Sequence, residues 1–383
     1  MSSISGAETI NHENRIKGGK TRMVNKGIGL EEIIKGIRQA DGEWIEKARQ
    51  RTARLVMPTR ALGRLHEISE RLCGIYRTLK PSMDRRAILV MAGDHGVVDQ
   101  GVSAYPQVIT GEMVRAFLRG GAGINVLARL VDADVWVVDM GIIPELDPAS
   151  MVGGDRLLIH KVAKGTSNLA EGPAMTRQEA EKAILAGFQL ASDLFHKGVE
   201  ILGTGDMGIG NTTPSAAIGT VLTGRGLEEM VGRGTGMDAN GLSRKQEAIR
   251  QGIEVNQPDS KDGVDVLEKI GGFEIGGIAG CVLAGAYHSR PVVIDGFIST
   301  AGALVAHAIC PYAVDYIFAG HCSEEPGHKI MLDYLGLNPI LDLGMRLGEG
   351  TGGALAMGIM EGAVRIIQEM LTFEEAGVSN KES

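Results

Sequence analysis

Three glycine-rich segments carry polar side chains at spacings suited to holding an anion and moving a proton. The densest is Gly203-Thr-Gly-Asp-Met-Gly-Ile-Gly-Asn-Thr-Thr, which follows an apolar run and precedes a helical one. Closely spaced backbone N–H groups from Gly205, Gly208 and Gly210, with the side chains of Asn211, Thr212 and Thr213, form an anion cradle. Placed at a helix N-terminus, such a cradle suits a single phosphate. Gly203, Gly205 and Gly208 also satisfy G-x-G-x-x-G, so a Rossmann-type NAD(P)-dependent oxidoreductase is the alternative reading. Against it, no acidic residue closes a second apolar strand about twenty residues later. That stretch reads Gly219-Thr-Val-Leu-Thr-Gly-Arg-Gly.

The second segment, Gly232-Arg-Gly-Thr-Gly, is followed by Arg244-Lys245 on a predicted helix. Lys245 either completes the phosphate's charge or is a solvated surface lysine. In the third, Leu347-Gly-Glu-Gly-Thr-Gly-Gly, Glu349 stands between two glycines after a predicted strand and before a buried helix. A carboxylate there can serve the helix N-terminus. It can equally be a general base whose pKa rises as water is excluded. A further motif, Ala92-Gly-Asp-His-Gly-Val-Val, leads into Gly101-Val-Ser-Ala-Tyr-Pro-Gln and Thr110. Asp94-His95 could form a metal pair or an acid/base dyad. Without an H-x-x-x-H pattern or a paired-acid motif, the preferred role for His95 is a hydrogen bond that stabilises the turn.

These segments need a scaffold that gathers them. Apolar β-rich runs at 87–91, 134–138, 199–202, 291–294, 315–319 and 340–343 alternate with helical stretches. Near-continuous apolar strands joined by crossovers predict an α/β fold, a six-stranded parallel sheet flanked by helices. In such a sheet ligands bind beyond the carboxyl ends of the strands. Every one of these six ends carries glycine beside polar groups, which points to one common site. Residues 30–79 read as two or three helices, with Leu30, Ile33, Ile34 and Ile37 on one apolar face and Leu62, Leu65, Ile68 and Leu72 on another. Thr176-x-x-Glu179 is a capping box opening a helix that runs to about residue 197, and a last helix is expected over 354–371.

The chain has 383 residues, 55 of them glycine, 44% hydrophobic and 22% charged. That is globular composition with glycine far above the usual share of roughly 7%. Such an excess sits where backbone turns sharply or approaches something closely. With 39 Lys and Arg against 47 Asp and Glu, the net charge is −8, and there is no long basic run. This excludes the electrostatic footprint of a nucleic-acid binder. Cys73, Cys281, Cys310 and Cys322 form no C-x-x-C pair and read as reduced cytosolic thiols. Residues 1–26 are polar, lack the apolar core of a secretory signal and read as a flexible extension. The uncharged stretch 296–314 has the length of a membrane span, but His307, Pro311 and its small residues favour a buried helix.

Taken together and in order, Ala92-Gly-Asp-His-Gly-Val-Val, Gly101-Val-Ser-Ala-Tyr-Pro-Gln, Gly205-Asp-Met-Gly-Ile-Gly-Asn-Thr-Thr, Gly232-Arg-Gly-Thr-Gly and Leu347-Gly-Glu-Gly-Thr-Gly resemble the nicotinate-nucleotide:dimethylbenzimidazole phosphoribosyltransferase family. The similarity runs from about residue 30 to 372. It implies a Rossmann-like six-stranded domain over 81–354 and a small helical domain built from both chain ends, 27–80 with part of 355–383. It also implies a cytoplasmic homodimer that works without cofactor or metal on small molecules. The implied reaction moves ribose 5-phosphate from nicotinate mononucleotide to 5,6-dimethylbenzimidazole or a related base, in the assembly of the lower ligand of cobalamin.

By the same resemblance Glu349 is the general base, with Asp206 beside it where members often have glutamate. Gly205, Gly208, Gly210, Asn211, Thr212, Gly234 and Lys245 fall around the ribose phosphate and nicotinate. Ser103, Tyr105, Gln107, Met207 and Leu347 fall around the benzimidazole. A reading from another class is a non-catalytic nucleotide or benzimidazole binder, which release of free nicotinate would exclude.

Overall fold

The computed structural model of the chain describes residues 28–379 except 233, 235 and 237. The predicted extension at 1–26 lies outside the described residues. Six strands, β1 (Arg86–Gly93), β2 (Ala133–Gly141), β3 (Leu157–Ile159), β4 (Ile201–Met207), β5 (Val292–Ile294) and β6 (Ile317–Ala319), form one sheet. Their order is β3-β2-β1-β4-β5-β6, and every neighbouring pair is parallel. β1 shows why the sequence pattern was strong, since Ala87 through Ala92 are all fully buried between the two helical layers. The order reverses between β1 and β4, which is where an open parallel sheet leaves a crevice for a ligand.

The predicted count of six is right, but one member differs. The run at 340–343 forms β8 (Leu341–Met345), which pairs with β7 (His321–Ser323) in a separate two-stranded parallel sheet. Its Leu343 is 62% exposed, so apolar composition there does not mark a sheet interior. The sixth strand of the main sheet is β3, an edge strand of three residues that pairs with β2 alone. Such a short run gives no legible period. β4 also extends to Met207, well past its predicted end at 202.

Three helices, Leu30–Gly36, Gly42–Thr52 and Arg64–Tyr76, precede the sheet. Ile33, Ile37, Ile68 and Leu72 are buried as expected, whereas Leu62 precedes the helix and is 40% exposed. The long final helix, Thr351–Glu369, packs on Arg64–Tyr76, and an antiparallel bridge joins Leu55 to Thr372. Two central helices, Arg177–His196 and Phe273–His288, cross in intimate contact because Gly187, Gly277 and Gly280 carry no side chain. A Cβ on Gly187 would overlap the Gly277 carbonyl. The uncharged stretch forms the buried helix Phe297–Ile309, and among the described residues no helix is long and apolar enough to cross a membrane.

The predicted capping box opens the helix Arg177–His196. Thr176 Oγ1 accepts from Glu179 N at 3.3 Å, and Glu179 Oε2 accepts from Thr176 N at 2.8 Å. Thr176→Ala is expected to cost about 1 kcal/mol. A lower urea midpoint with unchanged turnover would show it; an unchanged midpoint would mean that the cap contributes nothing.

Candidate active site

At the carboxyl ends of β1 and β4 lies a cavity of about 410 Å³. Its floor is the turn that leaves β4, where Asp206, Met207, Gly208, Gly210, Asn211 and Thr212 all face it. Thr212 begins the helix Thr212–Thr223; the N–H groups of Thr213 and Ser215 are taken by the Gly210 and Asn211 carbonyls and Pro214 has none, so what the helix brings to the cavity is Thr212 itself. Gly234, from the second glycine loop, lines the same side, while its neighbours Arg233 and Thr235 lie outside the described residues.

Lys245, on the helix Ala239–Asn256, is fully buried, and its Nζ donates to Thr212 Oγ1 at 2.7 Å. This overturns the surface-lysine alternative. Burial pushes its pKa down to about 8, against the opposing pull of Glu325. Lys245 therefore stands behind Thr212, not among the side chains that line the cavity. A cation held there costs desolvation and is retained where an anion compensates it.

Glu349 faces this phosphate-like cradle from the turn between β8 and the helix Thr351–Glu369. Its φ is +65°, between Gly348 at +82° and Gly350 at +95°. A non-glycine residue held in the left-handed region is strained, and such strain persists where surrounding structure imposes it. The imposing residue is Asp295, buried after β5. Its carboxylate accepts from the backbone N–H groups of Gly350, Gly352 and Gly353 at 2.9, 2.7 and 3.1 Å. Asp295 thus caps the helix from another segment and fixes the turn. Glu349 Oε2 accepts from Ile124 N at 3.1 Å.

Electrostatically the site is crowded with carboxyl groups. Burial raises the pKa of Glu349, opposed by the Ile124 N–H and supported by the Asp295 charge. Asp206 is raised well above the carboxylate range, first by burial and then by Asp295, Glu274 and Glu349, while Asn211 opposes. Asn211 Nδ2 donates to Asp206 Oδ2 at 3.0 Å, and Oδ1 has no partner among the described residues. A buried carboxyl with a free oxygen at a cavity wall is poised to hold a proton or meet a substrate hydroxyl.

The other wall is apolar. Met207, Leu347, Ile109, Met113, Phe297 and Ile298 line a slot of the kind that takes a flat heterocycle, with Ser103 and Tyr105 at its edge. Ser103 Oγ accepts from Tyr105 N at 3.2 Å, and the Tyr105 ring is half exposed. Gln107 does not line the cavity, because its amide Nε2 donates to the His95 carbonyl at 3.1 Å. Gly205 does not line it either. It lies within β4, backed directly by the Glu349 carbonyl.

The placement of Gly203 and Gly205 corrects the oxidoreductase alternative. Both are strand residues, not a strand-to-helix turn, so the formal G-x-G-x-x-G makes no pyrophosphate loop. Sequence reasoning marked all six strand ends as forming one site but gave Asp295, His321, Ser323, Glu325 and Arg346 no role. His321, Ser323, Glu325 and Arg346 line the cavity, and His321 Nε2 lies 3.5 Å from Asp295 Oδ1. The signal available for Asp295 was only an acidic residue closing an apolar strand. Among the described residues no group of three or more His, Cys, Asp or Glu side chains is placed to hold a metal ion.

Comparison with known proteins bears on what this arrangement belongs to. A phosphoribosyltransferase family model matches residues 37–378. The nicotinate-nucleotide–dimethylbenzimidazole phosphoribosyltransferase of Geotalea uraniireducens is 51% identical over 353 residues, covering 92% of this chain and 99% of that protein. The enzyme of the same name from Geobacter sulfurreducens is 51% identical over 350 residues, covering 91% and 98%. The crystal structure of the nicotinate-nucleotide–dimethylbenzimidazole phosphoribosyltransferase from Thermus thermophilus superposes with a TM-score of 0.83 at 46% identity, covering 89% of this chain and 99% of that one. On identity sustained over nearly its whole length, the chain belongs to the nicotinate-nucleotide–dimethylbenzimidazole phosphoribosyltransferase family.

Proposed function

We propose that the chain transfers ribose 5-phosphate from nicotinate mononucleotide to 5,6-dimethylbenzimidazole or a related lower-ligand base, in cobalamin biosynthesis. The observation that carries this is one cavity with an anion cradle and an apolar slot, and a raised-pKa carboxyl, Glu349, between them. The cradle at 208–212, with Gly234 and Lys245, holds the phosphate, and the slot holds the azole. The base nitrogen's lone pair attacks the anomeric carbon on the face opposite nicotinate. The C1′–N bond to the pyridinium breaks, and its electron pair neutralises the departing ring. Inversion converts the β-donor to an α-riboside. The azole's other nitrogen becomes acidic as the new bond forms, and Glu349 accepts its proton. Asp206 stands at the ribose side of the same wall.

The test is incubation of the protein with nicotinate mononucleotide and a panel of bases, with products identified by mass and anomeric configuration. Base-dependent release of nicotinate with an α-riboside product is expected. Binding of both substrates without release would overturn the reading and favour a non-catalytic binder.

The chain is proposed to act in the cytoplasm as a homodimer, with a smaller helical unit formed by residues before 81 and after 354. Exposed apolar side chains support self-association: Leu343, Leu347, Val126 and Leu130 are each more than half exposed, the last two on the helix Gly123–Leu130 that packs against Thr351–Glu369.

Lys245 gives a separable expectation. Its ammonium is charged below about pH 8 and is lost as pH rises through that value, so phosphate affinity in the free enzyme falls on the alkaline side. Lys245→Met should raise the KM for nicotinate mononucleotide by about tenfold or more. Binding of nicotinate riboside, which has no phosphate, should not change. If the wild-type protein bound riboside as tightly as nucleotide, the cradle would not be a phosphate site.

A further inference from the structure

Beneath the phosphate cradle, on the side away from the cavity, a buried pair joins His95 and Glu274. His95 Nε2 and Glu274 Oε1 are 2.9 Å apart, and the two side chains are 1% and 0% exposed. Three glycines from separate segments make the chamber. A Cβ on Gly93 would stand 2.9 Å from Glu274 Oε2, and one on Gly272 only 2.5 Å from His95 Cε1. A Cβ on Gly208, in the cradle itself, would stand 3.2 Å from His95 Nε2. The ring of His95 therefore packs against a residue that lines the cavity.

A second tie runs alongside. Thr110 Oγ1 accepts from Ile209 N at 3.1 Å, one residue further along the cradle. The nearby Thr110 side chain opposes the burial that raises the pKa of Asp94, whose Oδ2 accepts from Ile143 N at 2.8 Å. The carbonyl of His95 holds Gln107, in the segment that leads to Ser103 and Tyr105.

We propose that His95 and Glu274 are positioning residues for the donor nucleotide: their pair fixes Gly208, beside the Thr110 tie on Ile209, so that the cradle is formed before substrate arrives. The inference rests on the function proposed above and adds which half-site the pair serves. The His95 ring, held by Glu274, packs against the nucleotide loop at Gly208, while the base-side segment is held by a main-chain carbonyl that substitution at His95 keeps. A preformed loop lowers the cost of binding, because ordering is not left to the substrate. Neutralising one partner leaves the charge of the other buried and uncompensated, and two amides that bond each other avoid this.

The experiment compares His95→Gln, Glu274→Gln and the double variant with the wild-type enzyme. Binding of nicotinate mononucleotide is measured by calorimetry, alongside the KM for each substrate and thermal unfolding. Each single variant is expected to weaken donor binding by about tenfold while the KM for the base moves less than about twofold. The double variant should regain most of the loss and gives a folded reading if a single variant is unstable. Donor and base constants that move together, or not at all, in folded variants would overturn the inference. So would a double variant no better than the worse single. Calorimetry keeps the two readings apart. Wild-type protein that binds nucleotide without releasing nicotinate sinks the transferase reading alone, and the donor-selective loss still decides the role of the pair.

Discussion

Glu349→Gln is expected to lower kcat by at least about two decades while leaving the fold and nucleotide affinity intact. The amide keeps the size of the carboxyl and can still accept from Ile124 N, so the turn at 348–350 has no reason to move. What disappears is the ability to take a proton. Steady-state kinetics with nicotinate mononucleotide and 5,6-dimethylbenzimidazole decide it, and a kcat near that of the wild type would remove Glu349 from the role of base. The pH profile supplies a second reading. Glu349 works ionised, and its pKa is raised by burial and by Asp295, so activity is lost as pH falls through that raised value. The acid limb should thus lie above the ordinary carboxylate range, and it should vanish in the glutamine variant.

Two neighbours shape that limb. Asp295 raises Glu349 by its charge and also holds the turn through three N–H groups, so its contributions are electrostatic and geometric at once. Asp206, pushed well above the carboxylate range, keeps its proton to higher pH than an ordinary carboxyl does. Two carboxyls pushed apart by environment are the arrangement that separates an acid from a base in one site. Here Glu349 has backbone N–H partners that favour its charge, whereas Asp206 has one side-chain amide and an unpartnered oxygen among the described residues.

How much of this was legible beforehand depends on whether the cause was local. The parallel sheet was legible because β1 and its neighbours are buried on both faces, which forces continuous apolar runs. β3 was not, because three residues at a sheet edge need only one paired side. Glu349 could be singled out from its flanking glycines, but the reason for its strained conformation sits in Asp295, on another strand. Lys245 could be read as surface or as ligand. Only the packing of its helix against Thr212 and Gly232 decides between them. The pattern of Gly203, Gly205 and Gly208 misled for the same reason. Glycine in a strand suggests a turn by propensity, whereas here the absent side chains admit neighbours from distant segments.

That reading of Gly205 carries the second large prediction. Gly205 sits inside β4, paired with Val90 of β1, in the middle of the sheet. A Cβ there would overlap the Glu349 carbonyl oxygen, with the Glu349 carbonyl carbon at 2.5 Å and Gly350 N at 2.7 Å. All three atoms are backbone, so no side-chain rotation relieves the contact. The strand is held by β1 along its length and by β5 at Leu202 and Gly203, which opposes its retreat. The turn must move, and with it the base. A displacement on the order of 1 Å costs about 10²-fold in rate, and overpacking adds about 1–3 kcal/mol of destabilisation. Gly205→Ala should therefore lower kcat about a hundredfold in a folded protein. The phosphate cradle lies past the strand, so the donor KM should change only slightly. Gly203→Ala is the control. Its Cβ would meet the Met357 Cε end at 2.9 Å and Ile88 Cγ1 at 3.0 Å, and the flexible methionine can swing aside. Its kcat should stay within about threefold of wild type. Near-normal turnover in Gly205→Ala would mean that the Glu349 turn tolerates displacement, and that the strand glycine does not set the position of the base.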